Sequence, residues 1–210
     1  YALLNELGAV DEENVLTATG RELARLPLDP RVGRMLIAAR AEGCLEQVLV
    51  IASALSVRDP RDRPLDKAAA ADERHAKFAD ERSDFLGYLN LWKAFGQGAA
   101  PSRKQCRENF VSYVRMREWR DIHSQLRQSV EELEWKLSSV QVEKPEGVRA
   151  IHRALLCGLL GNIGMKDEQD NNYTGARGIK FWLHPGSGAR KPGKWVMAAE
   201  LVETNRLFAR

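Results

Sequence analysis

The chain has 210 residues, of which 44% are hydrophobic and 29% charged, and its net charge is +3. This suffices for one large or two modest domains with real cores and excludes a disordered chain. No apolar run approaches the roughly 20 residues that a bilayer crossing needs, and the opening YALLNELGAV lacks the order of a signal peptide.

That opening has no initiator Met and begins inside an amphipathic pattern, which reads as a piece of a longer chain. Residues 1–9 predict a helix end stopped near Gly8. AVDEENVLTATGRELARL then reads as strand, acidic turn, short strand and new helix. Thr17 or Thr19 serves as N-cap, with Glu22 placed to complete a capping box from Thr19. A helix, a small hairpin and a second helix suit the tail of a winged-helix module.

From Pro30 to about Ser139 the pattern is almost wholly helical. RVGRMLIAARAEG puts Val32, Met35, Leu36 and Ala39 on one face and stops at Gly43. CLEQVLVIASALSV is nearly all apolar and belongs at the centre of a bundle. VRDPRDRP is broken by two prolines and their restricted predecessors. An Ala-rich helix from Leu65 to Ala79 follows, then SDFLGYLNLWKAF with Ser83 as cap. After GQGAAPS, a single helix from Arg103 onward buries Cys106, Phe110, Tyr113, Met116, Trp119, Ile122 and Leu126. Its opposite face is rich in arginine, as expected of a solvated helix surface.

At VQVEKPEG the texture changes. One more helix, GVRAIHRALLCGLL, leads into strands joined by glycine turns in NIGMKD, NYTGARGIKFWLHPG and KWVMAAELVETNRLFA. The fold class is therefore mainly α with a C-terminal β-barrel. Cys44, Cys106 and Cys157 stand far apart without CxxC spacing, which argues against a disulfide framework or zinc site and for a reduced, cytoplasmic setting.

Charge is unevenly distributed. Residues 171–199 contain Arg177, Lys180, Arg190, Lys191 and Lys194 and no Asp or Glu. Such a field is the footprint of a polyanion partner, although a solvated basic surface would look the same. If all five cations met phosphates, single-strand affinity would fall with salt at a log–log slope of about −3.5.

Two decoys lie nearby. GxxxxGK matches from Gly188 to Lys194, but Trp195 stands where a phosphate loop needs Ser or Thr, and a strand pattern follows instead of a helix. Asp72-Glu73-Arg74-His75 resembles an Asp-Glu-Ala-His box, yet it follows LDKAAAA and so lies on a helix. GxSxG and HExxH are absent, and His75, His123 and His152 are isolated. No catalytic residue, metal ligand or cofactor site emerges.

LTATGRELARLPLDPRVGRMLIAA, GCLEQVLVIASALSVRDPRDRP, SDFLGYLNLW, IHRALLCGLLGNIG, YTGARGIKFWLHPGS and KWVMAAELVETNRLFAR closely resemble the C-terminal accessory region of DEAH-box RNA helicases, above all the bacterial HrpA type. The resemblance covers essentially the whole chain. It implies the end of a winged-helix domain at 1–29, a ratchet-like HA2 bundle at 30–140, and an oligonucleotide-binding OB-fold at 145–210 that stops short of the family's closing elements. The last sheet edge would then be exposed. ATP and Mg²⁺ would belong to two RecA-like domains upstream, which with single-stranded RNA are the implied partners, DNA being left open.

By the same resemblance the turn at His184-Pro185-Gly186-Ser187 faces RNA. There Ser187 can donate to a phosphate, His184 can stack on or bond to a base, and Arg177, Lys180, Arg190, Lys191 and Lys194 supply attraction. Arg58 and Arg61 form a second tier; of Phe181 and Trp182, one of which must point inward, at most one is a stacking platform, and core packing is the favoured reading for both. The alternative is a protein-interaction or bracing module with little RNA contact.

Overall fold

A computed structural model describes residues 1–189 and 192–209. Helices α1 (Ala2–Glu6), α2 (Ala18–Leu23), α3 (Pro30–Glu42), α4 (Leu45–Leu55) and α5 (Ala68–Ala76) come first. They are followed by α6 (Asp84–Phe95), α7 (Arg103–Glu108), α8 (Tyr113–Glu132) and α9 (Pro145–Leu156). Six strands complete the chain: β1 (Ile163–Lys166), β2 (Tyr173–Thr174), β3 (Lys180–Leu183), β4 (Trp195–Met197), β5 (Leu201–Glu203) and β6 (Leu207–Ala209). The described residues form two compact units, with the boundary inside α4.

The first unit holds Tyr1–Val48, Trp135–Ser187 and the stretch from Pro192. Thr17 caps α2 by accepting from the Gly20 N–H at 3.0 Å. The cap therefore lies two residues before Thr19, and no capping box forms there. Glu22 is free to turn outward and pairs with both oxygens on the Arg40 guanidinium at 2.9 Å. Asp29 caps α3, Pro30 opens it, and Gly43 closes it at φ +72°, a backbone angle that costs glycine little. The α9 helix packs against α3 in this unit. At the end of α9, Gly158 lies so close to Arg31 O and the Met35 side chain that a Cβ would collide with both.

The sheet order is β4-β1-β2-β3-β6-β5, antiparallel except for the parallel pair β3–β6. Tyr173, Phe181, Ala198 and Ala209 are buried on its inner side, packed by Leu183, Val196, Leu201 and Leu207. The Tyr173 and Phe181 rings stack at 5.9 Å with 17° between planes. The OB-fold, expected to be incomplete, is not a closed barrel: among the described residues the sheet curls but stays open, with β4 and β5 as its edges. The final strand is not an exposed edge either, because β6 is sandwiched between β3 and β5.

The second unit comprises Leu49–Glu134 with Gly188 and Ala189. Its core gathers Val50, Ala54, Leu91, Phe95, Cys106, Val111 and Met116 around Trp119, which is wholly buried. The Trp119 indole N–H donates to Val50 O at 3.1 Å and Ser53 Oγ at 3.0 Å, so its one polar atom is satisfied. Burial pushes the Cys106 thiol pKa up, in keeping with a packing role.

The helix expected to run unbroken from Arg103 is split into α7 and α8. Ser102 and Gln105 form a capping box on α7, Ser112 caps α8, and Phe110 between them adopts φ +51°. The break supplies backbone partners to the proline-rich segment: Asp62 N–H donates to Phe110 O at 2.8 Å, and Ser112 N–H to Pro60 O at 2.7 Å. A continuous helix would leave those extended residues without main-chain bonds. The Ala-rich helix likewise ends at Ala76, three residues early, after a tight turn at Leu65–Lys67.

Candidate nucleic-acid interface

Side chains alternate across a strand, so the buried set of the sheet fixes which residues face out. With Phe181, Leu183, Val196 and Ala209 turned inward, the register aligns Trp195, Met165, Thr174 and Lys180 in one outward row across β4, β1, β2 and β3. Trp182 pairs with Phe208 on the same outer side. The Arg206 guanidinium lies 5.1 Å over the Trp182 ring, and the His184 ring meets Phe208 edge-on at 5.9 Å. The outer surface thus carries aromatic rings interleaved with cations.

The individual cations differ in what they are doing. Arg177 is exposed on the turn between β2 and β3, where it holds φ +58°; that costs an L-residue about 1 kcal/mol. Lys194 is exposed at the entrance to β4, and its carbonyl accepts from Lys166 N–H at 2.7 Å. Among the described residues neither Arg177, Lys194 nor Lys166 is in an ion pair.

Lys180 is different. Its Nζ lies 3.8 Å from both Asp167 Oδ2 and Asp170 Oδ2, carboxylates just outside the acid-free window. The amides of Gln169 and Asp170, with the Lys180 ammonium beyond them, hold the Asp167 carboxyl below the usual range. The unneutralised run therefore loses one member through the β1–β2 turn, which folds acids from earlier in the chain back beside β3.

In the turn that opens the basic loop, His184 Nδ1 accepts from Gly186 N–H at 3.0 Å, and Ser187 N–H donates to His184 O at 2.9 Å. His184 and Pro185 are exposed and Ser187 half-buried. Within the second unit, the Gly188 amide donates to Asp84 Oδ1 at 2.7 Å, at the first residue of α6. Arg190 and Lys191 lie outside the described residues.

Of the second tier, Arg58 is exposed and enters no ion pair among the described residues, whereas Arg61 is committed. Its guanidinium grips buried Asp59 at 2.7 Å and stacks 5.5 Å from the Tyr88 ring centre. Burial pulls the Arg61 pKa down, but the hydrogen bond and charge of Asp59 outweigh it and leave the pKa raised. Arg120 and Arg115, on the basic face of α8, bond to the carbonyls of Gly96 and Gly98 and to Asp62 respectively, so that face is also partly structural.

Three residues on this surface escape a reading of the sequence. Trp195 is 62% exposed, and the strand pattern by itself does not say which face it takes. Arg206 and Lys166 fall outside the acid-free window and so carry no signal of their own. Trp182, assigned to the core, is half-buried on the outer side, while Phe181 is fully buried.

Neither nucleotide decoy has the residues to hold ATP and Mg²⁺. Lys194 is followed by β4 rather than by a helix N-terminus. Asp72 sits on α5 and pairs with Arg63 at 2.7 Å, and no cluster of potential metal ligands occurs among the described residues. Among those residues there is also no helix long and apolar enough to cross a membrane.

Three domain families match the sequence. They are the winged-helix helicase-associated domain (HA2) over residues 2–28, the ratchet-like helicase-associated domain over 29–88, and the oligonucleotide/oligosaccharide-binding fold over 151–210. The chain is 50% identical over 99% of its length to the ATP-dependent RNA helicase HrpA of Escherichia coli, covering 16% of that protein. It is 44% identical to the HrpA homolog of Haemophilus influenzae over 99% of its length, covering 17%. It is 30% identical over 98% of its length to the pre-mRNA-splicing factor ATP-dependent RNA helicase prp22 of Schizosaccharomyces pombe, again covering 17%. The chain thus spans only about a sixth of these relatives.

Proposed function

Because the chain belongs to the helicase-associated and OB-fold accessory domains of the DEAH-box RNA helicases, with no ATPase motif of its own, we propose that it is the non-catalytic RNA-gripping part of an ATP-dependent motor. In this reading residues 1–29 end a winged helix, 30–140 form the ratchet-like bundle and 145–210 the OB-fold. RecA-like domains elsewhere in the same polypeptide bind ATP and Mg²⁺ and supply force in the cytoplasm, and this part lines the channel for a single strand.

The observation that carries the reading is the outer side of the sheet. It carries Trp195, Trp182, Phe208 and His184, and the same domain holds Arg177, Lys194 and Lys166, exposed cations with no ion-pair partner among the described residues. Cations track phosphates without regard to sequence, and flat rings accept any base, which is what a translocating strand requires. The glycine-loosened turn at His184–Ser187 lets the main chain approach the backbone of the strand, while Arg190, Lys191 and, by itself in the second unit, Arg58 are further proposed phosphate contacts. Lys180 joins only when Asp167 and Asp170 release it.

Fluorescence anisotropy with a labelled single-stranded RNA tests this. Combined Arg177→Glu and Lys194→Glu should weaken binding at least tenfold at about 0.1 M salt, since two attractions become repulsions. Unchanged affinity in the folded variant would instead favour a bracing module that touches little RNA.

A further inference from the structure

We infer that Arg206 is a phosphate-binding residue, held in position over Trp182, that carries the path of the strand from the His184 turn across β3 and β6. The inference rests on the RNA-gripping reading above and assigns it a specific contact.

Four residues of the outer side come together here. Trp182 on β3 is the register partner of Phe208 on β6, and the positions flanking them, Phe181, Leu183, Leu207 and Ala209, belong to the packed inner side. Two residues on from Trp182, the His184 ring meets Phe208 edge-on at 5.9 Å, and the His184 main-chain N–H donates to Ala209 O at 3.0 Å. Two residues before Phe208, the Arg206 guanidinium lies over the Trp182 ring, 5.1 Å from its centre. A two-residue step returns a strand side chain to the same face, so the guanidinium, both rings and the imidazole share one side of the sheet.

The charge of this guanidinium is unspent. Arg206 is exposed and enters no ion pair among the described residues. Glu203, the carboxylate of the same hairpin, is the register partner of Leu207 and so takes the opposite side of the sheet. Asp167 and Asp170 are engaged by Lys180. Arg40 and Arg61 also lean on rings, Trp135 and Tyr88, but each of those guanidiniums holds a carboxylate, Glu22 and Asp59 respectively. Contact with a ring restrains a long side chain without consuming its N–H donors, so Arg206 presents its fork at little further ordering cost. Phosphate offers the bidentate acceptor that such a fork fits. The adjoining rings and imidazole suit bases of the same strand, which a carboxylate on a protein partner would not bring with it.

The test is anisotropy of the whole chain across a KCl series with two labelled probes of equal length, a uridine strand and an abasic sugar–phosphate strand. Arg206→Ala removes one phosphate contact, so it should flatten the salt slope by about 0.7 and weaken both strands roughly fivefold at about 0.1 M salt. Arg206→Lys keeps the charge but not the fork, and should hold the parent's slope while binding more weakly than the parent. If Arg206→Ala binds both strands like the parent while Arg177→Glu with Lys194→Glu loses them, the assignment of Arg206 is wrong and the RNA-gripping reading stands. If the parent binds neither strand, that reading fails and takes Arg206 with it. Weakening of the uridine strand alone by Arg206→Ala would mean a base contact and overturn the phosphate role, and parental affinity in Arg206→Lys would overturn the bidentate one.

Discussion

Neutralising Asp167 and Asp170 should make the chain bind single-stranded RNA more tightly. Both carboxylates stand 3.8 Å from Lys180 Nζ, and their side chains are 27% and 64% exposed, so the pairs are solvent-screened and contribute little to stability. Asn at 167 keeps an oxygen to accept from Gln169 and Asp170 N–H, which now donate at 2.9 and 3.2 Å, so the turn survives. The double variant Asp167→Asn, Asp170→Asn releases one ammonium onto the outward row of the sheet. One added phosphate contact steepens the single-strand salt slope by about 0.7, which at 0.1 M salt corresponds to roughly fivefold tighter binding. Anisotropy titrations from 50 to 200 mM KCl measure both quantities. In the parent background Lys180→Ala should change affinity by less than about twofold, because that lysine is already engaged. An unaltered or weaker affinity in the double variant, or a large loss from Lys180→Ala alone, would refute the reasoning.

Three further outcomes concern stability. Gly164→Ala sets a Cβ against the Phe181 ring and 3.1 Å from Tyr173 Cβ, where stacked, buried rings cannot retreat; denaturant melts should show a loss of about 2–3 kcal/mol in the first unit. Trp119→Phe removes the two indole hydrogen bonds and leaves a void, costing about 2–3 kcal/mol, without orphaning Ser53, whose hydroxyl still donates to Leu49 O at 2.7 Å. His123 packs against Trp92, with ring centres 4.5 Å apart and planes tilted by 43°, and burial, with Arg127 and Arg120 adding repulsion, pushes its pKa down to about 4. A histidine depressed in the folded state is protonated first in the unfolded state, so its contribution is fully present above pH 6.5 and is lost as pH falls toward 4. With partial exposure discounted, that loss is about 2 kcal/mol, and His123→Gln should flatten the stability profile between pH 6.5 and 4.5. Identical slopes in parent and variant would contradict it.

The helices were legible because local signals and tertiary packing agree. Asp29 and Pro30 open α3, Gly43 ends it, and the apolar run of α4 is buried as its composition demands. Where the reading fails, the deciding partner is distant in sequence. The break at Asn109–Ser112 exists because Pro60 and Asp62 need main-chain bonds, and nothing within the periodic run from Arg103 announces them. The place of β6 between β3 and β5 is likewise a pairing that alternation alone does not specify.

For the site, the acid-free window contains Arg177 and Lys194, which enter no ion pair among the described residues, but composition cannot see Asp167 and Asp170 folding back on Lys180. Arg61 reads as a basic loop residue until Asp59 is found beneath it. Trp195 is the converse case. The strand pattern leaves its face open, and the register with Met165 turns it outward.

Affinity of the chain for a single-stranded RNA across a KCl series is the most direct measurement of the account. With Arg177, Lys166 and Lys194 as unpaired cations and Lys180 spent, the log–log slope should be about −2 or steeper. A slope near zero would contradict the claim that these side chains hold a sugar–phosphate backbone.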